Sequence, residues 1–108
     1  MSRIVSALSN LLEISIDFTA TGDNTIVAAV AGKAVRVYRI FFVLSAASDI
    51  VFKKGATALT GVIEMKEGGS VTLDFQDQPW FTTELGEAFV INQSGTAQVS
   101  GRLYYTQI

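Results

Sequence analysis

The chain has 108 residues, eight basic and ten acidic side chains, a net charge of −2, and neither cysteine nor histidine. Without cysteine there is no disulfide framework, thiolate nucleophile or cysteine zinc site. Without histidine the usual general base, the Ser-His-Asp triad and imidazole metal ligands are excluded. The basic residues are scattered, so the stripe that strong nucleic-acid binding needs is missing.

That length predicts one domain. Area scaling leaves a folded monomer of this size with about 5,800 Å² of surface, about a third of what its unfolded chain exposes. The core is adequate but small, yet 49% of residues are apolar and only 17% are charged. Such a surplus points to a buried surface between subunits or to a membrane. The longest apolar run, Ile40 to Leu44, falls far short of the ~18 residues of a spanning helix. No membrane partner is expected.

Along the chain, residues 1–12 stand apart. Ile4, Leu8, Leu11 and Leu12 recur at helical spacing, and Ser2 is a suitable cap. This segment reads either as a short helix or frayed terminus at one end of the domain, or as an arm that docks on a neighbour. Ser6, Ser9 and Asn10 interrupt the apolar stretch that a secretion signal requires.

Residues 13–108 read as a single β-sandwich domain. Ile14, Ile16 and Phe18 alternate with Ser15, Asp17 and Thr19 in a first strand. Thr21-Gly22-Asp23-Asn24 is turn chemistry, and Thr25 to Ala31 is a second strand. The third, Ala34 to Leu44, is apolar on both faces: strict alternation sends Val35, Val37, Phe41 and Val43 one way and Tyr38, Ile40, Phe42 and Leu44 the other. A sandwich needs one apolar face per strand, so Tyr38, Arg39, Ile40, Phe42 and Leu44 are expected at a subunit interface. Arg36 and Arg39 fall on opposite sides of the strand, and whichever lies on the inner or intersubunit face needs a carboxylate or carbonyl partner.

Ile50 to Lys53 is a fourth strand, and Ala58 to Met65 a fifth with Gly61 as a bulge or close-approach point. Val71, Leu73 and Phe75 alternate with polar residues in a sixth. Pro79 marks a loop, Phe89 to Ile91 a seventh strand, and Val99 to Tyr105 an eighth with Gly101 admitting a bend. Eight short strands divided by frequent turns predict an all-β, eight-stranded antiparallel sandwich, jelly-roll-like.

Candidate chemistry is sparse. Asp74 and Asp77 are too few oxygens for a hard cation. Glu84 and Glu87 resemble a glycosidase pair only if a cleft holds them, and a hairpin edge is the plainer reading. Lys53-Lys54 suits the protection of a β edge. Trp80-Phe81 with Tyr104-Tyr105 fits core or interface packing better than a sugar platform, of which Trp80 and Tyr104 would be the centre. No cofactor, metal site or catalytic residue is assigned.

Several stretches together resemble a family. Thr21-Gly22-Asp23-Asn24-Thr25-Ile26-Val27-Ala28-Ala29-Val30-Ala31-Gly32-Lys33, followed by a long apolar strand, is similar to the opening of small β proteins encoded by tailed bacteriophages. Phe52-Lys53-Lys54-Gly55 and Thr57-Ala58-Leu59-Thr60-Gly61 look like their next hairpin. Gly68-Gly69, Trp80-Phe81, Gly86-Glu87-Ala88 and Thr96-Ala97-Gln98-Val99-Ser100-Gly101 look like their second half. The likeness covers nearly all of residues 17 to 108. It implies a virion protein made in the host cytoplasm: a capsid decoration or cement subunit, or a tail-associated module. The partners implied are further copies of the chain, as a homotrimer, and a capsid or other virion protein. A carbohydrate- or receptor-binding module of a tail fibre is the alternative, and no enzymatic activity is implied.

Overall fold

In the computed structural model, residues 10–108 are described, and all their regular structure is β. Ten strands follow in order: β1 Leu12–Phe18, β2 Gly22–Val27, β3 Val35–Leu44, β4 Ser48–Lys54, β5 Thr57–Ala58, β6 Ile63–Met65, β7 Ser70–Leu73, β8 Phe81–Thr82, β9 Phe89–Gln93 and β10 Val99–Gln107. They form two antiparallel sheets packed face to face. The first runs β1-β10-β3-β7, with β8 also on β3, and the second runs β2-β9-β4-β5, with β6 also on β4. Residues 1–9 of the expected arm or helix lie outside the described residues, whereas Leu12 already belongs to β1.

Alternation places one side of each strand in the core. Ile16, Val35, Val37, Ile40, Phe42, Leu44, Ile50, Phe52, Phe89, Ile91, Val99 and Leu103 are all buried there. The partly buried Phe81 packs against this core, stacked 4.6 Å from Phe52 and 5.7 Å from Phe89, ring centroid to ring centroid. Offset stacks of this kind add to the area they remove from water.

Ten strands replace the eight expected because two positions are interrupted. The fifth strand breaks at residues 59–62, where Leu59 N–H donates to the Phe52 carbonyl (2.7 Å) and Phe52 N–H donates to the Thr60 hydroxyl (3.3 Å). Gly61 lies in that break with open space beside it. The sixth strand ends at Leu73, two residues before Phe75, and β8 rejoins β3 after Pro79. β2 starts at Gly22, inside the expected turn, and ends at Val27.

The largest departure is in β3. Tyr104 faces Arg39, but the next residue, Tyr105, faces Val37, leaving Tyr38 as an extra residue. This β-bulge reverses the side-chain phase. Val35 and Val37 therefore share the inner side with Ile40, Phe42 and Leu44, which are 0%, 2% and 1% exposed. The last three are thus covered within their own chain and do not reach a neighbour. Arg36 and Arg39 fall on the same, outer side, not on opposite ones. Most of the apparent two-sidedness of this strand is a phase shift.

Two polar residues join loops at opposite ends of the sandwich. Gln93 is fully buried; its Oε1 accepts from the Ser48 hydroxyl (2.9 Å) and Ala97 N–H (3.1 Å), and its Nε2 donates to the Ala97 (2.9 Å) and Ala20 (3.2 Å) carbonyls. At the other end the Thr83 hydroxyl accepts from Val35 N–H (2.9 Å) and lies within bonding distance of the Glu84 and Glu87 carbonyls.

Candidate functional site

The bulge that reverses β3 also builds the most distinctive surface of the molecule. On one flank of β3, β7 pairs with residues 40–43 and β8 with residues 36–37. Residues 74–80 leave the sheet between them, alongside Tyr38 and Arg39. Trp80 N–H donates to the Val37 carbonyl (2.8 Å) and ties the far end of this loop to β3.

Arg39 is the centre of the cluster. Its guanidinium carbon lies 5.0 Å from the ring centre of Phe41 and 5.3 Å from that of Tyr104, within cation–π range. Its Nε donates to Asp74 Oδ1 at 3.0 Å. The same oxygen accepts from Phe75 N–H at 2.8 Å. That backbone bond, and then the guanidinium, hold the Asp74 carboxyl below its ordinary pKa. The arginine therefore finds its carboxylate within the chain.

Aromatic rings surround this pair. Phe75 meets Tyr104 edge-on at 5.8 Å, and the Trp80 indole N–H donates to the Asp74 carbonyl (2.7 Å). Phe75 and Trp80 are each 38% exposed, and Val43, on the same outer side of β3, is 46% exposed. Beside them Arg102, which faces Phe41 across the strands, pairs with Glu13 of β1.

Of the residues singled out in the sequence, Trp80 and Tyr104 are thus brought into one cluster, linked through Asp74 and Phe75. Their neighbours Phe81 and Tyr105 point into the core, as alternation requires. Phe41 and Phe75 were not assigned to the platform. Phe75 continues the inward alternation of Val71 and Leu73 in the sequence, and only the end of β7 at Leu73 turns it outward.

The acidic pairs do not converge on a site. Glu84 is bound to Lys54 (2.8 Å), which lowers the Glu84 carboxyl and raises the Lys54 ammonium. Glu87 accepts from Glu84 N–H (3.1 Å). On the second sheet Asp23 accepts from Asn92 (2.7 Å) and Lys53 (2.9 Å), and these bonds lower its pKa in that order. No group of three or more acidic side chains among the described residues could hold a metal ion.

The surface around Arg39 is a sheet face on which Arg39 and Arg102 are paired with Asp74 and Glu13, while the Phe75 and Trp80 rings remain exposed. Trp, Tyr and Arg are the side chains that carry most binding energy at protein interfaces. Comparison with known proteins gives no match to a family model, a curated protein or a solved structure.

Proposed function

We infer that the chain is a structural jelly-roll subunit of a tailed-phage particle, a capsid decoration or cement protein that works as a homo-oligomer. Taking β5 with β6, and β7 with β8, as single interrupted positions leaves eight positions in two four-stranded sheets with the first and last strands paired, the jelly-roll count. The observation that carries the reading is the ring cluster around a neutralised Arg39, in which Phe75 and Trp80 are exposed and Phe41 and Tyr104 half-buried. Such a face docks on another protein without leaving a buried charge unpaired. Binding to the assembled shell but not to its free subunits stabilises the shell by mass action.

The test uses phage heads assembled without the protein. Added chain raises their rupture temperature, and the double substitution Phe75→Ser, Trp80→Ala abolishes binding. Heads that neither bind the chain nor gain stability overturn the reading. The same rings favour one alternative, a sugar-binding face of a tail fibre, because Phe75 and Trp80 both flank the polar Arg39–Asp74 pair. Glycan-array binding lost on Trp80→Ala, with no binding to heads, would select it.

A further inference from the structure

Each sheet ends on both sides in a strand that lacks one neighbour, and three of the four ends are blunted. β2 carries a bulge, Ile26 being an extra residue between Thr25 and Val27. β5 and β6 are two and three residues long, and β7 and β8 four and two. Bulges and short edge strands are the devices by which proteins prevent edge-to-edge pairing, together with lysine and proline. β1 has none of them. Its seven residues, Leu-Glu-Ile-Ser-Ile-Asp-Phe, keep unbroken register with β10 from Leu12 opposite Tyr105 to Phe18 opposite Val99. Among the described residues no strand pairs with its other side. Leu12 and Ile14 share the core-facing side of β1 with Ile16, yet they are 47% and 36% exposed while Ile16 is 1% exposed.

We propose that β1 is an interface strand, and that its occupant is β1 of a second copy of this chain. A strand that pairs with itself about a two-fold axis perpendicular to the sheet runs antiparallel and places one residue on the axis. The side chains choose which one. With Ser15 on the axis, Glu13 faces Asp17 of the other copy, and like charges directly opposite are destabilising. With Ile16 on the axis, Leu12 faces residue 20 of the other copy, beyond the end of β1, and its exposed side chain is left outside the paired stretch. With Ile14 on the axis, the exposed Leu12 meets Ile16 of the other copy and Ile14 meets its own counterpart. Glu13 then lies opposite Ser15, the residue that pairs with Arg102 in its own sheet. The first sheets of the two chains join into one continuous sheet, and the ring cluster around Arg39 stays free on its outer face. The proposal rests on the reading of the chain as an assembling subunit, but it uses a different surface.

Because the chain contains no cysteine, single cysteine substitutions report contacts between copies without background. The full chain, Ile14→Cys and Val43→Cys are compared by light scattering and, after mild oxidation, by non-reducing gel. Ile14→Lys serves as the disrupting variant, with far-UV circular dichroism as the check on folding. The expected results are a two-chain mass, near-complete cross-linking of Ile14→Cys, none of Val43→Cys, and a folded single-chain mass for Ile14→Lys. A single-chain or three-chain mass for the unsubstituted protein overturns the proposal, as does a two-chain mass without cross-linking at position 14. Cross-linking of Val43→Cys alone moves the contact to the ring cluster and overturns β1 pairing. Failure to bind phage heads, with cross-linking at position 14 intact, removes the shell role and leaves the interface standing.

Discussion

Replacing Gln93 by leucine keeps the side-chain volume nearly constant and removes four hydrogen bonds from a fully buried position. The cost comes mainly from the partners left behind. Ala97 is 2% exposed, and both its N–H and its carbonyl depend on the Gln93 amide. Each buried backbone group left without a partner costs about 1–3 kcal/mol. The Ser48 hydroxyl still accepts from Gly95 N–H (3.0 Å) but loses its own acceptor. The Ala20 carbonyl sits in an exposed turn and water replaces its bond cheaply. The sum is about 3–5 kcal/mol, a large part of the 5–15 kcal/mol that holds an ordinary domain together. Urea unfolding followed by Trp80 fluorescence measures it, and with a slope of about 2 kcal/mol per molar the midpoint falls by about 2 M. Ser48→Ala, which removes one of the four bonds and the Gly95 contact, costs about 1–2 kcal/mol. A loss below about 1 kcal/mol for Gln93→Leu would refute the view that this amide holds the loops at its end of the sandwich together.

Three further outcomes follow from particular contacts. In Gly101→Ala the added Cβ runs into the Phe41 carbonyl oxygen and lies 2.6 Å from Phe42 Cα, backbone that cannot rotate away. The variant is expected to lose more than about 3 kcal/mol or to accumulate as insoluble protein, read by urea unfolding and by solubility on expression. Asp23, Asp74 and Glu84 have carboxyls whose folded pKa lies below the ordinary value. Their contribution is present above the unfolded pKa and is lost as pH falls through the folded one, so thermal stability declines from about pH 4 downward and not between pH 5 and 8. In Arg39→Ala, NMR titration finds the Asp74 carboxyl moved part of the way up, because the Phe75 N–H bond remains. A full return to the ordinary value would show that the guanidinium alone lowers it.

The sandwich was legible in the sequence wherever alternation is regular, as in Ile14-Ile16-Phe18 and Phe89-Ile91, because one buried face imposes a period of two. It failed at Tyr38, where strict alternation was carried through a strand that slips phase. The signal was present: Val35 and Val37 keep one phase and Ile40, Phe42 and Leu44 the other, with two residues, Tyr38 and Arg39, between Val37 and Ile40. No glycine or proline marks the slip, since it is held by the register of β10 and by the gap between β7 and β8. Trp80 and Tyr104 were named together as candidates and lie in one cluster, but Phe41 and Phe75 were not joined to them. Their positions depend on where β7 ends, which local sequence does not state. Gln93 was assigned no structural role. It continues the inward phase of Phe89 and Ile91, a polar residue where the pattern calls for an apolar one, and such a position calls for a full set of bonds.

The strand order also has a consequence for synthesis. β10 follows every other strand in the chain, yet in the first sheet it lies between β1 and β3. Until it leaves the ribosome, the strands on either side of it have no common partner, and the inner faces of both wait uncovered. At about 5–20 residues per second, β1 spends several seconds in that condition, and folding through such distant pairings is slow in any case. A nascent chain arrested before Val99 is therefore expected to behave as an unfolded, chaperone-dependent polypeptide, and release of the last nine strand residues would let the first sheet close around them.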